Sequence, residues 1–386
     1  MRLWTTCLAA LALASCATAP MDRPLATQST PRNPLPTTDA GVLFWDQATR
    51  TDRFRHLEDY YAGLEVAAAP NVRPLPQGEP LDATTVAKIA PLLETINAAG
   101  IMVLQDGKVR YESYRLGFRP DQRWTSFSVA KSFTSTLLGA AVKDGALSLS
   151  DPVTKHLPAL AGTAYEGVTV EQIATMTSGV KWNEDYADPA SDVARMLLVA
   201  PRAGEPQSVT YARTLTREAP AGTKWVYKTL ETNLLGDIVA AATGRTLADY
   251  AKEKIVDPAG FAGGLFWMSD LTGRNIGGCC LSVRLSDYAR MGQWVMEGGR
   301  PSVPADWFAK ATTKRADIGA PGYGYGYQWW TNPTGFGAQG IFGQYITVVP
   351  RQRLVIAVVS SHPTATGKAL GDARSALWRA IAAGAQ

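Results

Sequence analysis

The chain has 386 residues, 46% of them hydrophobic and 19% charged, the balance of a soluble globular protein with room for one large domain or a domain carrying an insertion. Its net charge of +4 is too mild to argue for nucleic acid, and no basic run or arginine-rich helix appears, so that class of partner is set aside.

At the N-terminus Arg2 precedes an apolar run from Leu8 to Ala14, too short to span a bilayer as a permanent helix, and 1–15 is read as a signal peptide. The run ends in Leu13-Ala14-Ser15-Cys16, which resembles the bacterial lipobox. The resemblance implies lipidation at Cys16, the one membrane contact expected. With Ala17 rather than Asp next, it implies an outer-membrane lipoprotein facing the periplasm. A plain secretory signal cut near Ala17-Thr18-Ala19, giving a soluble secreted or periplasmic protein, is the alternative. Residues 16–40 are rich in Pro, Thr and Ser without periodicity and read as a flexible tether; 41–386 is the expected folded domain. From Val42 to Pro80 short apolar patches among prolines suggest an irregular arm packed on that domain.

Thr84 to Ala99 carries Val86, Ile89, Leu92, Leu93 and Ile96 on one face, a helix pattern. Ile101 to Gln105 and Lys108 to Tyr114 then flank Asp106-Gly107, a strong hairpin signal. The next segment contains Ser128-Val129-Ala130-Lys131, and Phe133, Leu137, Ala140 and Ala141 behind it recur at helical spacing until Asp144-Gly145. On a helix, positions i and i+3 share a face, so the Lys131 amine falls within reach of the Ser128 hydroxyl. A serine is a poor nucleophile until a base takes its proton, and a desolvated lysine can be that base. The helix N-terminus also offers unpaired N–H groups to a developing oxyanion.

A long, mostly helical region of about 152–275 follows, with helices at Val170 to Met176, Thr229 to Thr243 and Leu247 to Ile255; another covers Leu285 to Met296. The adjacent Cys279 and Cys280 lack metal or redox spacing and read as two small buried thiols, a strained vicinal disulfide being the alternative. The final third returns to strands. Tyr323 to Trp330 alternates Gly with Tyr, Ala338 to Val349 and Leu354 to Ser361 form a hairpin around Pro350 to Arg353, and a helix from Leu370 to Ala383 closes the chain. Strands at both ends with helices between give an α+β protein: one antiparallel sheet built from both termini, flanked by helices, with a helical insertion. His56, His156 and His362 sit in no triad setting, there is no Gly-x-Ser-x-Gly, and no residue pattern calls for a metal or cofactor.

Ser128-x-x-Lys131 together with Tyr227-Lys228-Thr229, ahead of the helix carrying Leu234, Leu235 and Ile238, resembles the serine β-lactamases of class C, the DD-peptidases and related esterases. The resemblance implies a β-lactamase/transpeptidase-like fold and an acyl-enzyme reaction. Tyr227 would relay protons between Ser128 and the leaving group, as a phenolate favoured by the neighbouring lysine, and Thr229 would stand at the substrate. The family's strand-borne Lys-Thr-Gly has its best counterpart in Ala338-Gln339-Gly340, which lacks the lysine. The N–H groups of Ser128 and Ile341 would form the oxyanion hole, with Gly340 lining the substrate site.

Glu184-Asp185-Tyr186-Ala187-Asp188-Pro189-Ala190-Ser191, Gly326-Tyr327-Gln328-Trp329-Trp330 and the stretch from Arg284 to Arg290 resemble the 6-aminohexanoate-dimer hydrolase and carboxylesterase branch. That likeness implies that Tyr186 covers the bound substrate and helps the amine leave, while Trp330 walls the cleft. The position whose acid favours a substrate amine falls near Leu197, which cannot hold an ammonium group. The expected protein is therefore a serine hydrolase of small linear amides or esters. A β-lactamase or DD-peptidase is the second reading, and a non-catalytic envelope binding lipoprotein the third.

Overall fold

The computed structural model describes residues 27–32 and 41–385; the expected signal peptide of 1–15 and the expected lipidation at Cys16 lie outside the described residues. The larger sheet has seven antiparallel strands in the spatial order Lys108–Tyr114, Ala98–Gln105, Leu354–Ser360, Gln344–Val349, Gly335–Gly340, Trp330–Asn332 and Gly324–Tyr325. Strands from early and late in the chain thus meet at its centre, where Ile356 pairs with Val103 and Ala357 with Met102.

The central strands read as continuous apolar runs because both faces of the sheet are covered. Successive side chains point to opposite sides. Ile101, Val103, Ile356 and Val358 pack with Ile89 and Leu93 of helix Ala83–Thr95 and with Leu377 and Ile381 of helix Lys368–Gly384. Met102, Leu104, Val355 and Ala357 belong instead to the main core, with Leu285, Ala289 and Met291 of helix Leu285–Met296. Gly292 of that helix lies so close to the sheet that a Cβ there would come within 2.5 Å of Val355.

Several expectations change. Ala338 to Val349 is not one strand: the chain folds back through a turn at Ile341–Gly343, where Phe342 has φ +60°, so that Gly335–Gly340 and Gln344–Val349 pair with each other. The first long helix stops at Thr95, because Asn97 at φ +44° turns the chain directly into the strand beginning at Ala98. A second, five-stranded antiparallel sheet was not foreseen; it joins Thr30–Arg32, Gly63–Val66, Leu265–Met268, Leu281–Arg284 and Arg123–Thr125. Its first strand falls inside the expected tether, and Ser29 beside it hydrogen-bonds Asp249 through its N–H at 2.8 Å and its hydroxyl at 2.6 Å. Its Leu265–Met268 strand falls inside the expected helical insertion, whose last helix ends at Ala259. Cys279 and Cys280 are joined as a disulfide rather than held as separate thiols.

Candidate active site

Ser128 lies in a single 3-10 turn, Phe127–Val129, that runs straight into helix Ala130–Lys143. Ser126 fixes the entry: its N–H donates to the Leu281 carbonyl at 2.7 Å, and its hydroxyl accepts the Leu281 N–H at 2.8 Å. Phe127 has φ +41°, a conformation that costs a bulky residue about 1–3 kcal/mol and persists only where packing dictates it. Its ring is held by Phe54 at 5.0 Å and Phe342 at 5.2 Å between centroids.

The helix behind the turn is buried on every side from Ala130 to Ala141, so its hydroxyls need internal acceptors. Ser132 donates to the Gln328 carbonyl at 2.8 Å and Thr134 to the Gly277 carbonyl at 2.7 Å. Gly139 leaves room for the Trp307 ring, which would stand 2.4 Å from a Cβ. Such packing makes this helix a rigid base for Lys131.

Lys131 is 1% exposed, and its amine stands 3.1 Å from Ser128 Oγ, 3.1 Å from Thr229 Oγ1 and 2.9 Å from the Gly278 carbonyl. Burial brings its pKa down to about 8, with the charge of Glu184 working the other way. Protonated, the amine donates to all three; in its neutral form it would keep two N–H groups for Thr229 and Gly278 and have a lone pair for the Ser128 hydroxyl. Gly278 can reach Lys131 because it has no side chain: a Cβ would meet Asn233 Oδ1 at 2.7 Å.

Tyr227 is brought to the same point. Its ring centroid is 5.3 Å from Lys131 Nζ, and Trp330 stacks on it at 5.5 Å and 25°. The phenolate expectation is corrected. Burial and the charge of Glu184 push the Tyr227 pKa well above its ordinary value, and the hydrogen bond to Ser128 offsets only part of that. The resting side chain is a phenol.

Glu184 was quoted in the sequence only as part of a motif, yet it organises this side of the site. It accepts the Thr229 N–H at 2.9 Å and the Tyr186 hydroxyl at 2.7 Å, and it also bonds the Thr229 hydroxyl and the Trp182 indole. Thr229, expected at the substrate, lines the smaller of the cavities at Ser128, and its hydroxyl donates to Glu184 and accepts from Lys131.

Gly340 passes directly over the nucleophile's turn, where a Cβ would lie 2.6 Å from the Ser126 carbonyl and 3.0 Å from the Ser128 nitrogen. Two cavities meet at Ser128, and Tyr186 and Ile341 line both. The larger, about 350 Å³, is also lined by Tyr227, Trp330 and Gly340. The smaller, about 60 Å³, has an apolar wall that includes Val193, Met196, Leu197, Met268 and Ile276.

Residues 86–268 match the β-lactamase family. A 6-aminohexanoate-dimer hydrolase of Paenarthrobacter ureafaciens is 32% identical over 339 residues, which span 78% of this chain and 83% of the relative. This chain belongs to the β-lactamase family of serine hydrolases. Within the family, a β-lactamase of Pseudomonas fluorescens is 36% identical over 100 residues, 24% of this chain and 28% of that one. The solved structure of a Bacillus anthracis protein assigned as a 6-aminohexanoate-dimer hydrolase superposes with a TM-score of 0.78 at 21% identity, covering 92% of this chain and 98% of that one. A class C β-lactamase bound to cefoxitin superposes with a TM-score of 0.58 at 18% identity, covering 78% and 98%. The family's fold is thus present across nearly the whole described domain.

Proposed function

We propose that this hydrolase cleaves small linear amides or esters through an acyl-enzyme on Ser128, as the name of the Paenarthrobacter relative suggests for an amide. The observation that carries the reading is the 3.1 Å hydrogen bond from a buried Lys131 amine, whose pKa burial lowers to about 8, to Ser128 Oγ. Neutral Lys131 takes the Ser128 proton as Oγ attacks the substrate carbonyl, and the N–H groups of Ser128 and Ile341 hold the oxyanion. Removal of one such donor costs about 2.7–4 kcal/mol of transition-state stabilisation.

When the tetrahedral intermediate collapses, the bond to the leaving nitrogen or oxygen breaks, and Tyr227 gives that atom its proton and is re-protonated from Lys131. Tyr186 is within the same cavity and assists an amine to leave. A water then attacks the acyl-Ser128 ester, its proton returning through the same groups, and the carboxylic acid is released. The apolar cavity accepts the acyl chain and, at about 60 Å³, favours a short one.

The discriminating experiment is hydrolysis of p-nitrophenyl butyrate, butyranilide and nitrocefin by the wild type and by Ser128→Ala and Lys131→Ala. The reading predicts turnover of the linear substrates, little of nitrocefin, and a loss in both variants of at least about 100-fold. Nitrocefin turnover exceeding that of the linear substrates would favour a β-lactamase, consistent with the Pseudomonas relative's name. No turnover of any of them would leave a binding protein.

A further inference from the structure

The Cys279–Cys280 disulfide has no part in the proposed chemistry, yet both residues line the small apolar cavity together with Ser128 and Thr229. A disulfide stabilises a fold chiefly by closing a loop of the unfolded chain, and the effect grows with the number of residues enclosed. This one joins neighbours in the sequence and encloses none. Chain constraint gives no reason for it, so the reason lies in where it sits.

The residues on either side of the pair hold the two groups that carry the candidate reaction. On the N-terminal side, the Gly277 carbonyl accepts the Thr134 hydroxyl at 2.7 Å, and the Gly278 N–H donates to Asn233 Oδ1 at 2.8 Å. The Gly278 carbonyl, in the peptide group that joins it to Cys279, accepts Lys131 Nζ at 2.9 Å. On the C-terminal side, the Leu281 N–H donates to the Ser126 hydroxyl at 2.8 Å, and the Leu281 carbonyl accepts the Ser126 N–H at 2.7 Å. The Cys280 carbonyl accepts the Met268 N–H at 3.0 Å, which fixes that end in the smaller sheet. The disulfide therefore bridges the segment that orients Lys131 and the strand that anchors the Ser128 turn.

Breaking the bond changes the space that the pair needs. Bonded sulfurs stand about 2.0 Å apart, whereas non-bonded heavy atoms settle at roughly 3.5–4.0 Å, so two thiols must separate by about 1.5 Å or more. They have to do so at the wall of a cavity of only about 60 Å³. Cys280 is 2% exposed and abuts strand Leu281–Arg284, whereas Cys279 is partly exposed and follows two glycines. The displacement falls on Cys279 and, through the peptide they share, on the Gly278 carbonyl.

We propose that Cys279–Cys280 is a redox site at which a small thiol reductant lowers the activity of the hydrolase, the disulfide holding Gly278 against Lys131 and the dithiol releasing it. The inference rests on the acyl-enzyme reading above. A thiolate of the reductant attacks the more accessible Cys279 sulfur, the S–S bond breaks, and Cys280 leaves as a thiolate that takes a proton. A second thiolate attacks the reductant's sulfur in the mixed disulfide, forming the reductant's own disulfide and freeing Cys279, which is protonated in turn. Two thiols are oxidised to one disulfide, and the protein gains two electrons and two protons.

The test treats the purified protein with dithiothreitol, removes the reductant without air, and follows hydrolysis of p-nitrophenyl butyrate. Alkylation and mapping of the tryptic peptide Asn275–Arg284 count the free thiols at Cys279 and Cys280. The untreated protein should show neither thiol and the treated protein both. On reduction kcat/KM should fall at least about tenfold, mainly in kcat, and return when oxidised glutathione re-forms the bond. Cys279→Ser should be as slow as the reduced protein and indifferent to dithiothreitol. Free thiols before treatment, a bond that dithiothreitol does not reduce in the folded protein, or full reduction with kcat/KM unchanged would each overturn the assignment. The comparison of the two wild-type redox states decides the matter even if the variant folds poorly. Failure to hydrolyse p-nitrophenyl butyrate in either state would instead remove the acyl-enzyme reading, and this inference with it.

Discussion

The Glu184 carboxylate holds Thr229 twice, by the backbone N–H at 2.9 Å and by the hydroxyl, and that hydroxyl in turn receives Lys131 at 3.1 Å. The carboxylate is therefore connected to the candidate base through a single side chain. Its charge also opposes the effect of burial on the Lys131 pKa. Glu184→Gln removes that charge and keeps an acceptor for the Thr229 N–H. The acid limb of the kcat/KM profile should then move to lower pH, since the Lys131 pKa falls when its only opposing charge is gone. Loosening Thr229 and Tyr186 should also lower kcat, by up to about 100-fold. A pH–rate series on the two proteins measures both effects, and a limb that stays in place would separate Glu184 from the base.

The wild-type profile is itself specified. A base with pKa about 8 is protonated and inert in acid, so kcat/KM for p-nitrophenyl butyrate should rise with pH and level off above about 8. Tyr227 does not contribute a limb in this range, because burial holds it as the phenol. The same depressed pKa affects stability. The unfolded chain binds the Lys131 proton up to its ordinary value of 10.5 and the folded chain only up to about 8. Stability from this group therefore rises between those values, and its full penalty is present below about 8. Lys131→Met should accordingly be inactive yet melt at a higher temperature than the wild type at pH 7.

Asp237 gives a prediction of the opposite sign. It is buried in helix Thr229–Thr243, with the Ser208 hydroxyl as its hydrogen-bonding partner, and burial raises its pKa to about 7. The folded state thus holds a proton that the unfolded state loses near its ordinary value of 3.8, so stability from this group falls as pH rises from there to about 7. Asp237→Asn should raise the melting temperature at pH 8 and leave it nearly unchanged at pH 4. A scan of melting temperature against pH for the pair checks it.

Lys228 and Glu231 form a fully buried ion pair at 3.4 Å, beside Ser178, which also bonds Glu231. Removing one partner of such a pair strands the other charge, so Glu231→Ala should cost about 3–5 kcal/mol of stability. Lys228 lies next to Tyr227, so the variant should lose activity through misplacement of the phenol. Urea unfolding at pH 7 measures the loss.

Gly340 is explained by space. A methyl group there would press on the Ser126 carbonyl at 2.6 Å and the Ser128 nitrogen at 3.0 Å, both backbone atoms that cannot swing aside. Gly340→Ala should lower kcat/KM through a displaced oxyanion donor while changing the melting temperature little. Steady-state kinetics beside a thermal melt separates the two.

What the sequence revealed about this site divides along contact range. Ser128 and Lys131 were legible because a helix brings positions three apart to one face, and Tyr227 because it lies in a compact local string. Glu184 reaches Thr229 across 45 residues and Gly278 reaches Lys131 across 147, and no local pattern announces either contact. In the fold, the long apolar runs of the large sheet were readable, whereas the strands of the smaller sheet have only 3–4 residues each, too short for alternation to register. The positive φ at Phe127 and Phe342 is imposed by the aromatic cluster they share with Phe54, a tertiary override of local preference.

The proposed chemistry requires Ser128 to become acylated, and intact-mass spectrometry reads that acylation. The protein is mixed with p-nitrophenyl butyrate, quenched in acid within the first turnovers, and examined beside Ser128→Ala and a fluorophosphonate-treated sample. A butyryl adduct and a phosphonyl adduct should both map by peptide analysis to Ser128 and both be missing in the variant. An adduct on another residue, or none while hydrolysis proceeds, would contradict it.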